Sequence, residues 1–374
     1  MLPLDGIRVL DFSTLLPGPL ATLILQEAGA DVTKVERAGS GDTMRSYEPS
    51  LGDSSVNFAL LNRGKRSLEV DLKSPEGRAR IDALLDETDV LVEQFRPGVM
   101  ERLGLGYAAV AARNPRIVYC SVSGYGQSGP RALRAAHDLN YVADSGMLDL
   151  VTDASGEPVL PPALIADIGG GAYPAVMNIA LALFRRERTG EGAHLDVSMS
   201  DNVLPFMYWA LGNGTAAGEW PRPGAELVTG GTPRYRIYRT ADDRHVAAAP
   251  LEDQFWAAFC ELIELPQELR APEADPQATI EAVAARIALH PAAHWEERFA
   301  GADVCCNIVR SVEEAFGDEH FAARGLFTRT VGETDGERRI PALPLPLATG
   351  LRDMQEHVAY PALGELDPTP DGGS

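Results

Sequence analysis

Short runs of β-branched and aliphatic residues alternate with helical patterns along the first half of the chain. The helical patterns include residues 20–30, which Gly29 closes, and a segment that begins at Ser74 with Pro75 in its first turn. Strands that are separated by helices pair in parallel and carry helices on both faces of the sheet. The pattern predicts an α/β fold in which ligands bind beyond the carboxyl ends of the strands. The predicted strands are GIRVLDFS (6–13), DVTKVE (31–36), SLEVDL (67–72), DVLVEQF (89–95) and PRIVYCSV (115–122).

A long amphipathic helix is predicted over residues 170–188. Its apolar residues recur at the spacing of one helix face, and the basic end RRERTG supplies Gly190 as a stop signal. Another strand–helix step begins at LDVSMSD (195–201). Residues 1–211 are therefore predicted to form one large domain.

The composition changes after residue 211. Residues 212–233 are rich in Gly and Pro and are predicted to be a linker. Beyond it, residues 234–330 are predicted to form a smaller α+β domain. This domain begins with a hairpin around 241–244 and continues with helices at 252–264, 277–289 and 292–300. An apolar run at 342–348 indicates that residues 331–374 return to the large domain.

The net charge narrows the range of partners. The chain carries 33 basic and 54 acidic residues, a formal charge of −21, which argues against nucleic acid and anionic membranes. Its apolar runs are interrupted before the ~18–20 residues that a membrane span needs. The N-terminus lacks the basic start and apolar core of a secretory signal. We expect a cytoplasmic protein that binds neither nucleic acid nor membranes.

The four cysteines do not have the spacing of metal ligands. Cys305 and Cys306 are adjacent, and Cys120 and Cys260 are isolated. Buried free thiols in a reducing compartment are the expected state, and no metal site is predicted.

A glycine motif follows the strand at 115–122. Gly124, Gly126 and Gly129 have the spacing of a dinucleotide fingerprint, which requires a helix that begins at the third glycine. Pro130 follows directly, and no acidic residue ends a later strand at the required distance. A backbone loop close to a ligand is the better interpretation.

Asp167, His137 and Glu252 are candidate catalytic residues, although each has a structural explanation when taken alone. Asp167 could cap the following helix, His137 could be a structural hydrogen-bonding residue, and Glu252 could interact with a helix dipole. The glycines after Asp167 would also let a ligand approach, and their N–H groups could stabilise an oxyanion.

Basic residues occur at the ends of several predicted strands or in the loops beyond them. Individually they are typical of a solvated surface. Together, at the carboxyl edge of a parallel sheet, they could bind the phosphates of a nucleotide-like ligand. They are Arg37, Arg63, Lys65, Arg66 and Arg96.

Several long motifs occur in an order that resembles the family III CoA-transferase superfamily, and within it the α-methylacyl-CoA racemase branch. The resemblance implies a Rossmann-like large domain built from both chain ends, a small inserted domain and an interlocked homodimer. It also implies an acyl-CoA substrate and no separate cofactor. The motifs are GIRVLDFSTLLPGPLAT, AGADVTKVER, FALLNRGKRSL, VLVEQFRPGVMERLGL, IVYCSVSGYGQSGP, AAHDLNYVADSG and RYRIYRTADDRHVAAAPLEDQFW.

The resemblance implies that His137 and Asp167 are the two bases of a racemase. They would exchange a proton at the α-carbon of a 2-methylacyl-CoA thioester through an enolate, with Glu252 orienting His137. The alternative is a CoA-transferase in which Asp167 is a covalent nucleophile, but transferases commonly carry a non-basic residue where His137 stands. Supporting roles are implied for Asp138, Tyr141, Gly169 and Gly170.

The coenzyme A site is also implied only by the resemblance. The nucleotide end would lie along Arg37, the 59–66 loop and residues 95–96, and the thioester end would lie nearer to Leu16 and Glu93. The implied binding residues are Leu16, Arg37, Ala59, Leu61, Arg63, Lys65, Glu93, Phe95 and Arg96.

Overall fold

A computed structural model describes residues 1–366 except Ala154, Pro272 and Asp335. Residues 367–374, the end of the predicted 331–374 segment, lie outside the described residues. The strands are β1 (Arg8–Asp11), β2 (Asp31–Arg37), β3 (Ser50–Leu51), β4 (Ser54–Ser55), β5 (Arg66–Val70), β6 (Val90–Glu93), β7 (Val118–Ser123), β8 (Ala193–Ser198), β9 (Arg236–Arg239), β10 (His245–Ala248), β11 (Cys306–Ile308), β12 (Thr330–Gly332), β13 (Arg339–Pro341) and β14 (His357–Ala359).

Helices connect most of these strands, and a π-helical segment, Ala166–Ala172, leads directly into the longest of them. The α-helices are α1 (Pro17–Glu27), α2 (Val56–Asn62), α3 (Pro75–Leu85), α4 (Val99–Arg102), α5 (Tyr107–Arg113), α6 (Asp138–Asp144), α7 (Tyr173–Thr189), α8 (Met199–Val203), α9 (Tyr208–Ala217), α10 (Asp253–Leu262), α11 (Pro276–Ile287), α12 (Ala292–Phe299), α13 (Val312–Phe316) and α14 (Glu319–Ala323).

The described residues form two compact units. The first contains residues 1–145, 162–206 and the described part of 319–374, and the second contains residues 146–161 and 207–318. Both ends of the described chain therefore belong to the first unit. The membership of residues 146–161 in the second unit has no signal in the sequence pattern.

The first unit is built on a six-stranded parallel sheet with the order β5-β2-β1-β6-β7-β8. The chain runs outward from β1 to β5 on one side and from β6 to β8 on the other, so the direction of winding changes between β1 and β6. Ligands of such sheets bind at this change, outside the carboxyl ends of the strands. The predicted parallel α/β sheet is confirmed.

Helices cover both faces of this sheet. On one face, Ile81 and Leu85 of α3 and Val110 of α5 pack in one core with Leu91 and Tyr119 of the sheet. Residues of β1 alternate between the two faces, and α1 and α7 pack against each other and contact the sheet. The layered arrangement explains why the central strands are apolar on both sides.

Helix α1 begins earlier than predicted. Pro17 occupies its first turn, where a missing N–H costs nothing because that group has no helical acceptor. The helix therefore begins three residues before its predicted start at residue 20. Gly29, with φ of 106°, follows its end as predicted.

The predicted long helix is present and extends further at its N-terminus. With the π-helical segment it runs over Ala166–Thr189, and Gly190, in the left-handed conformation, ends it as predicted. This helix is long and apolar enough to cross a membrane by length and composition alone, a test that the buried core helix of a globular protein also passes. Ala175 and Ile179 are fully buried in the protein. The absence of a membrane partner stays a prediction.

The second unit has its own antiparallel sheet and core. Strands β9 and β10 form the predicted hairpin, and β11 completes a sheet with the order β11-β10-β9. Aromatic residues of α10 and α12 form the centre of the core, which includes Trp256, Phe259, Trp295 and Phe299. The linker prediction is wrong for residues 212–217, because these residues continue α9.

The cysteine prediction is partly wrong. Cys120 and Cys260 are buried, and all four thiols are free. Cys305 is exposed and has φ of 49°, and Cys306 is only partly buried.

Four charged side chains are buried between β1, β2, β5 and the loop after β2. Lys65 Nζ lies 3.2 Å from Asp11 Oδ2, and Lys34 Nζ lies 3.0 Å from Asp42 Oδ2. Burial alone would raise the pKa of Asp11, but Lys65 and Lys34 outweigh it and hold that pKa at about 2. Burial lowers the pKa of Lys65 to about 8. Each charge is therefore stable only in the presence of its partners.

Replacing Lys65 with Met should lower the free energy of unfolding by about 3–5 kcal/mol, because Asp11 would stay buried without its nearest cation. Arg66 provides a matched control, since it is the next residue but pairs with Asp31 at the surface. Arg66→Met should cost at most about 1 kcal/mol. Urea unfolding measures both variants, and equal costs would contradict the predicted role of the buried network.

Candidate active site

Two cavities lie at the carboxyl edge of the six-stranded sheet. The first, called here the His137 cavity, has a volume of about 410 Å³. It is lined by the loops after β1 and β6, the end of β7, the segment that carries His137, and Asp167. The second, the Arg37 cavity, has a volume of about 720 Å³ and is lined by Arg37 and by parts of the loops after β1, β2 and β5. Phe95 lines both cavities, so they adjoin at the loop that follows β6.

A larger cavity of about 850 Å³ lies elsewhere in the first unit. Its lining includes Arg45, Glu333 and Tyr360, and it contains none of the site residues predicted from the sequence. The chemistry proposed from the sequence therefore belongs to the two cavities at the sheet edge.

Asp138, the residue after His137, links the segment that carries His137 to the segment that carries Asp167. His137 directly precedes α6, and Asp138 is the first residue of that helix. Asp138 Oδ1 accepts hydrogen bonds from the backbone N–H groups of Ala166 at 2.7 Å and Asp167 at 2.9 Å. Asp138 thus caps the start of the helix that carries Asp167, and it ties this helix start to the residue next to His137.

The Asp167 carboxyl group is suited to exchange protons near neutral pH. Burial raises its pKa to about 6, the negative charge of Asp138 adds to that effect, and His137 opposes it. Carboxyl groups with such raised pKa values are typical of general acids and bases.

Gly169 and Gly170 have a packing role in this structure, and their predicted oxyanion role stays a prediction. They lie inside the π-helical segment, so their N–H groups do not form an open helix start. A Cβ atom on Gly169 would lie 2.7 Å from the Phe206 ring, and one on Gly170 would lie 2.5 Å from the carbonyl oxygen of Met199. These glycines let the segment pack closely against the helices that follow β8.

Tyr141 supports the wall of the His137 cavity. Its hydroxyl donates a hydrogen bond to the carbonyl oxygen of Ala136, the residue before His137, at 2.9 Å. A Cβ atom on Gly124 would lie 2.4 Å from the Tyr141 hydroxyl oxygen, so only glycine allows this contact. Burial raises the pKa of Tyr141 to about 12, so its phenol stays protonated at neutral pH.

The loop after Gly129 contains turns and no helix, whereas a dinucleotide fingerprint requires a helix that begins at the third glycine.

Glu252 belongs to the second unit. It is exposed and directly precedes α10. Its predicted partnership with His137 stays a prediction.

Several of the implied coenzyme A residues lie at the two cavities. Arg37 and Phe95 line the Arg37 cavity, and Phe95 and Arg96 line the His137 cavity. Leu16 is half-buried between Leu15 and Pro17, which line the His137 cavity. These residues follow three neighbouring strands, so a long ligand could extend along the sheet edge.

Glu93 is buried at the end of β6 and acts on the loop that follows. Its carboxylate accepts a hydrogen bond from the backbone N–H of Phe95 at 2.8 Å. Burial raises the pKa of Glu93 to about 7, against hydrogen bonds from Ser121 and Phe95 that lower it. Glu93 therefore shapes the boundary between the cavities from inside the protein.

The prediction that Arg63 and Lys65 contact phosphates is wrong for this structure. The Arg63 guanidinium is buried and donates to Glu27 at 2.9 Å, and Lys65 belongs to the buried charge network. Ala59 and Leu61 are also buried in the core. These four side chains stabilise the first unit, and none of them faces either cavity.

The most important residues missing from the sequence prediction are Asp42 and Lys34. Leu15, at the wall of the His137 cavity, has φ of 63°, a left-handed conformation that is unfavourable for a side chain of this size. Its N–H donates to the Asp42 carboxylate at 3.2 Å, and Lys34 Nζ donates to the carbonyl oxygen of Ser13 at 2.8 Å. The sequence signal for this buried network is Lys34, a lysine within the apolar strand pattern of residues 31–36.

Comparison with known proteins identifies the family. The model of CoA-transferase family III matches residues 4–366. This chain belongs to CoA-transferase family III. An alpha-methylacyl-CoA racemase of Mus musculus is 35% identical over 368 residues, which cover 97% of this chain and 91% of the relative. An acetyl-CoA:oxalate CoA-transferase of Acetobacter aceti is also 35% identical, over 97% of this chain and 93% of its own length.

Solved structures agree with the family assignment. A CaiB/BaiF family protein from Brucella suis superimposes with a TM-score of 0.83 at 28% identity, covering 97% of each chain. The family III protein described here thus shares the mixed α/β fold of that relative. Racemase and transferase relatives have equal identity, so similarity alone does not separate the two activities.

Replacing Asp138 with Asn should lower the pKa of Asp167 below about 6, because a negative charge that raises it is removed. The amide oxygen can still accept the hydrogen bonds from Ala166 and Asp167, so the helix cap is retained. Carbon-13 NMR of protein labelled at its aspartate carboxyl groups, assigned with Asp167→Asn, measures this pKa. An unchanged or raised value would contradict the electrostatic role of Asp138.

Proposed function

We propose that this family III protein is a racemase that interconverts the (R) and (S) forms of 2-methylacyl-CoA thioesters. The observation that carries the proposal is that an imidazole, His137, and a carboxyl group, Asp167, line one cavity. A transferase would need Asp167 only as a nucleophile. Inversion of a stereocentre needs a second base, which His137 would supply.

Two bases are needed because the proton must leave one face of the α-carbon and return on the other. The thioester carbonyl acidifies the α-hydrogen, and a positioned base removes it to give a planar enolate. In the proposed assignment His137 deprotonates the (S) thioester and Asp167 deprotonates the (R) thioester. The raised pKa of Asp167, about 6, supports its alternation between acid and base.

The proposed coenzyme A position follows the two adjoining cavities. The nucleotide end would occupy the Arg37 cavity, where the Arg37 guanidinium is exposed, and the thioester would reach the His137 cavity past Phe95. Arg96, exposed at the rim, would contact a phosphate or the pantetheine arm. Such charge-assisted contacts would attract an anionic ligand to a protein whose net charge is −21.

A CoA-transferase is the second candidate, because Asp167 alone could act as a nucleophile. The 35% identity to the acetyl-CoA:oxalate CoA-transferase favours this possibility as much as the racemase relative favours the first. In that reaction Asp167 would form an acyl anhydride and then a CoA thioester, and an acceptor acid would be required.

We further propose a cytoplasmic, interlocked homodimer in which Glu252 orients His137, on the basis of the resemblance. One observation supports the dimer: four large apolar side chains recur at helical spacing on the exposed face of α7, and a second chain could bury them. These side chains are Tyr173, Met177, Leu181 and Phe184. Sedimentation should then give twice the mass of the chain, and a monomer at micromolar concentration would contradict the dimer.

One experiment separates the two activities. The protein is incubated in deuterium oxide with one enantiomer of a 2-methylacyl-CoA, and loss of the α-proton is followed by NMR. A racemase exchanges this proton without any acceptor acid and yields both enantiomers. A transferase instead passes CoA to an added acid and leaves an adduct on Asp167 that hydroxylamine cleaves.

Single-base variants test the two-base mechanism. Asp167→Asn should reduce racemisation by at least about 10²-fold, yet still exchange the α-proton of the (S) thioester through His137. His137→Gln should show the opposite preference, for the (R) thioester. Equal loss of exchange from both enantiomers in both variants would contradict the assignment of one base to each face.

A further inference from the structure

Both candidate reactions place negative charge on the thioester oxygen. Enolate formation moves the C–H electron pair toward the carbonyl, and attack by a carboxylate gives a tetrahedral oxyanion. Either species needs a hydrogen-bond donor at the position of that oxygen, and such donors are among the largest contributions to catalysis. The structure should therefore contain a donor that faces the His137 cavity and is not already used.

The backbone donors around the cavity are largely committed. The glycine N–H groups predicted for this role lie inside a helical segment. Four further N–H groups near the cavity each donate to a side-chain oxygen of the protein. They belong to Leu15, which donates to Asp42; Phe95, to Glu93; His137, to Asn140; and Asp167, to Asp138.

Ser123 carries a donor that is not used. It is the last residue of β7, at the carboxyl end of the strand, and it lines the His137 cavity. Only 7% of the residue is exposed, and among the described residues its Oγ has no hydrogen-bond partner. A buried hydroxyl without a hydrogen-bond partner is destabilising, so its presence calls for an explanation.

Ser121, two positions earlier on β7, is a serine on the same strand face whose hydroxyl has hydrogen-bond partners. Ser121 is also buried, but its Oγ lies 3.1 Å from His194 Nε2, and it hydrogen-bonds Glu93. Residues two apart on a strand point to the same side. The two hydroxyls therefore lie on the same side of β7, but only that of Ser121 has hydrogen-bond partners among the described residues.

We propose that the Ser123 hydroxyl donates a hydrogen bond to the carbonyl oxygen of the bound thioester and stabilises the oxyanion that forms there. This inference rests on the proposed function only in needing an acyl-CoA thioester, and it holds for either candidate reaction. Ser123 is then a catalytic residue that neither family membership nor the sequence pattern assigned.

The step is balanced without any further reagent. A base, His137 or Asp167, takes the α-proton, the C–H electrons form the C=C bond, and the carbonyl π electrons move onto oxygen. The hydrogen bond from the Ser123 hydroxyl to that oxygen shortens, and Ser123 keeps its own proton. Rotation about χ1, which has three staggered positions in serine, aims the hydroxyl when the ligand binds.

The backbone around Ser123 is fixed well enough to aim a donor. Ser123 pairs in register with Ser198 of β8. The next residue, Gly124, packs against Tyr141, where a Cβ atom would have no room. The donor is therefore carried by a rigid strand end, which suits stabilisation of a developing charge.

The test compares Ser123→Ala with Ser121→Ala in the full-length protein. Ser123→Ala should lower kcat for α-proton exchange by about 100-fold, with KM changed by less than about three-fold, because the hydrogen bond strengthens as charge develops. Its free energy of unfolding should be unchanged or higher, since a hydroxyl without a partner is removed. Ser121→Ala should be less stable than the wild type, because two partners lose a hydrogen bond.

Ser123→Thr provides the rescue, because it restores a hydroxyl at the same carbon. It should recover at least a tenth of the wild-type kcat. Exchange by Ser123→Ala within about two-fold of the wild type would overturn the proposal. So would a loss of stability as large as that of Ser121→Ala, which would indicate a structural hydroxyl.

Failure of this inference is distinguishable from failure of the proposed function. If the wild type transfers CoA to an acid and exchanges no α-proton, the racemase proposal fails, and the same variants are compared by transfer rate. A transfer rate of Ser123→Ala that is about 100-fold below the wild type would still support the oxyanion role. An unchanged transfer rate would overturn it.

Discussion

The turn between β1 and α1 depends on charges that have been removed from water. Asp11 accepts the backbone N–H of Ser13, Lys34 donates to the carbonyl oxygen of Ser13, and Asp42 accepts the N–H of Leu15. Lys65 completes the network beneath the first turn of α1, where it also donates to the carbonyl oxygen of Pro19. Backbone groups that a tight buried turn leaves unpaired are thus satisfied by side chains. Because these side chains are enclosed and paired with one another, they hold the turn in one arrangement, which includes Leu15 in a left-handed conformation.

The same turn determines where a ligand can lie. It follows β1, next to the place where the winding of the sheet changes direction, and its residues line both cavities. Near His137 and Asp167, Asp138 provides a second constraint of the same kind, since one of its carboxylate oxygens accepts hydrogen bonds from two backbone N–H groups of another helix. Buried charged groups therefore define the shape of the site, and they position the segments that carry the candidate catalytic residues.

The sequence predicted the strands well because each is a short apolar run between clear breaks. β2, β6 and β7 lie within two or three residues of their predicted limits. It predicted the beginning of α1 poorly, since Pro17 and Pro19 suit a turn and a helix start equally. His137 and Asp167 could be selected from the resemblance, but their common cavity depends on a hydrogen bond between segments 28 residues apart.

The wrong predictions for Arg63 and Lys65 have one physical cause: the sequence does not reveal whether a charged residue is buried. Arg63, Lys65 and Arg66 are near neighbours in one basic segment, yet the first two are enclosed and the third is at the surface. Ser123 could not have been selected, because an unused hydroxyl is defined by the absence of neighbours in three dimensions. The glycines after Asp167 were predicted to let a ligand approach, but the groups that lie close to Gly169 and Gly170 are Phe206 and Met199 of the protein.

The capping role of Asp138 has a consequence for how this chain can change. The chain leaves the first unit after Ser145 and returns at Pro162, and residues 146–161 between these points belong to the second unit. Asp138 ties the two ends of this excursion together, so the segments that carry His137 and Asp167 are linked by hydrogen bonds that lie outside it. Evolution or engineering can therefore lengthen, shorten or rewrite the excursion while the hydrogen bonds between Asp138 and the segment that carries Asp167 stay in place.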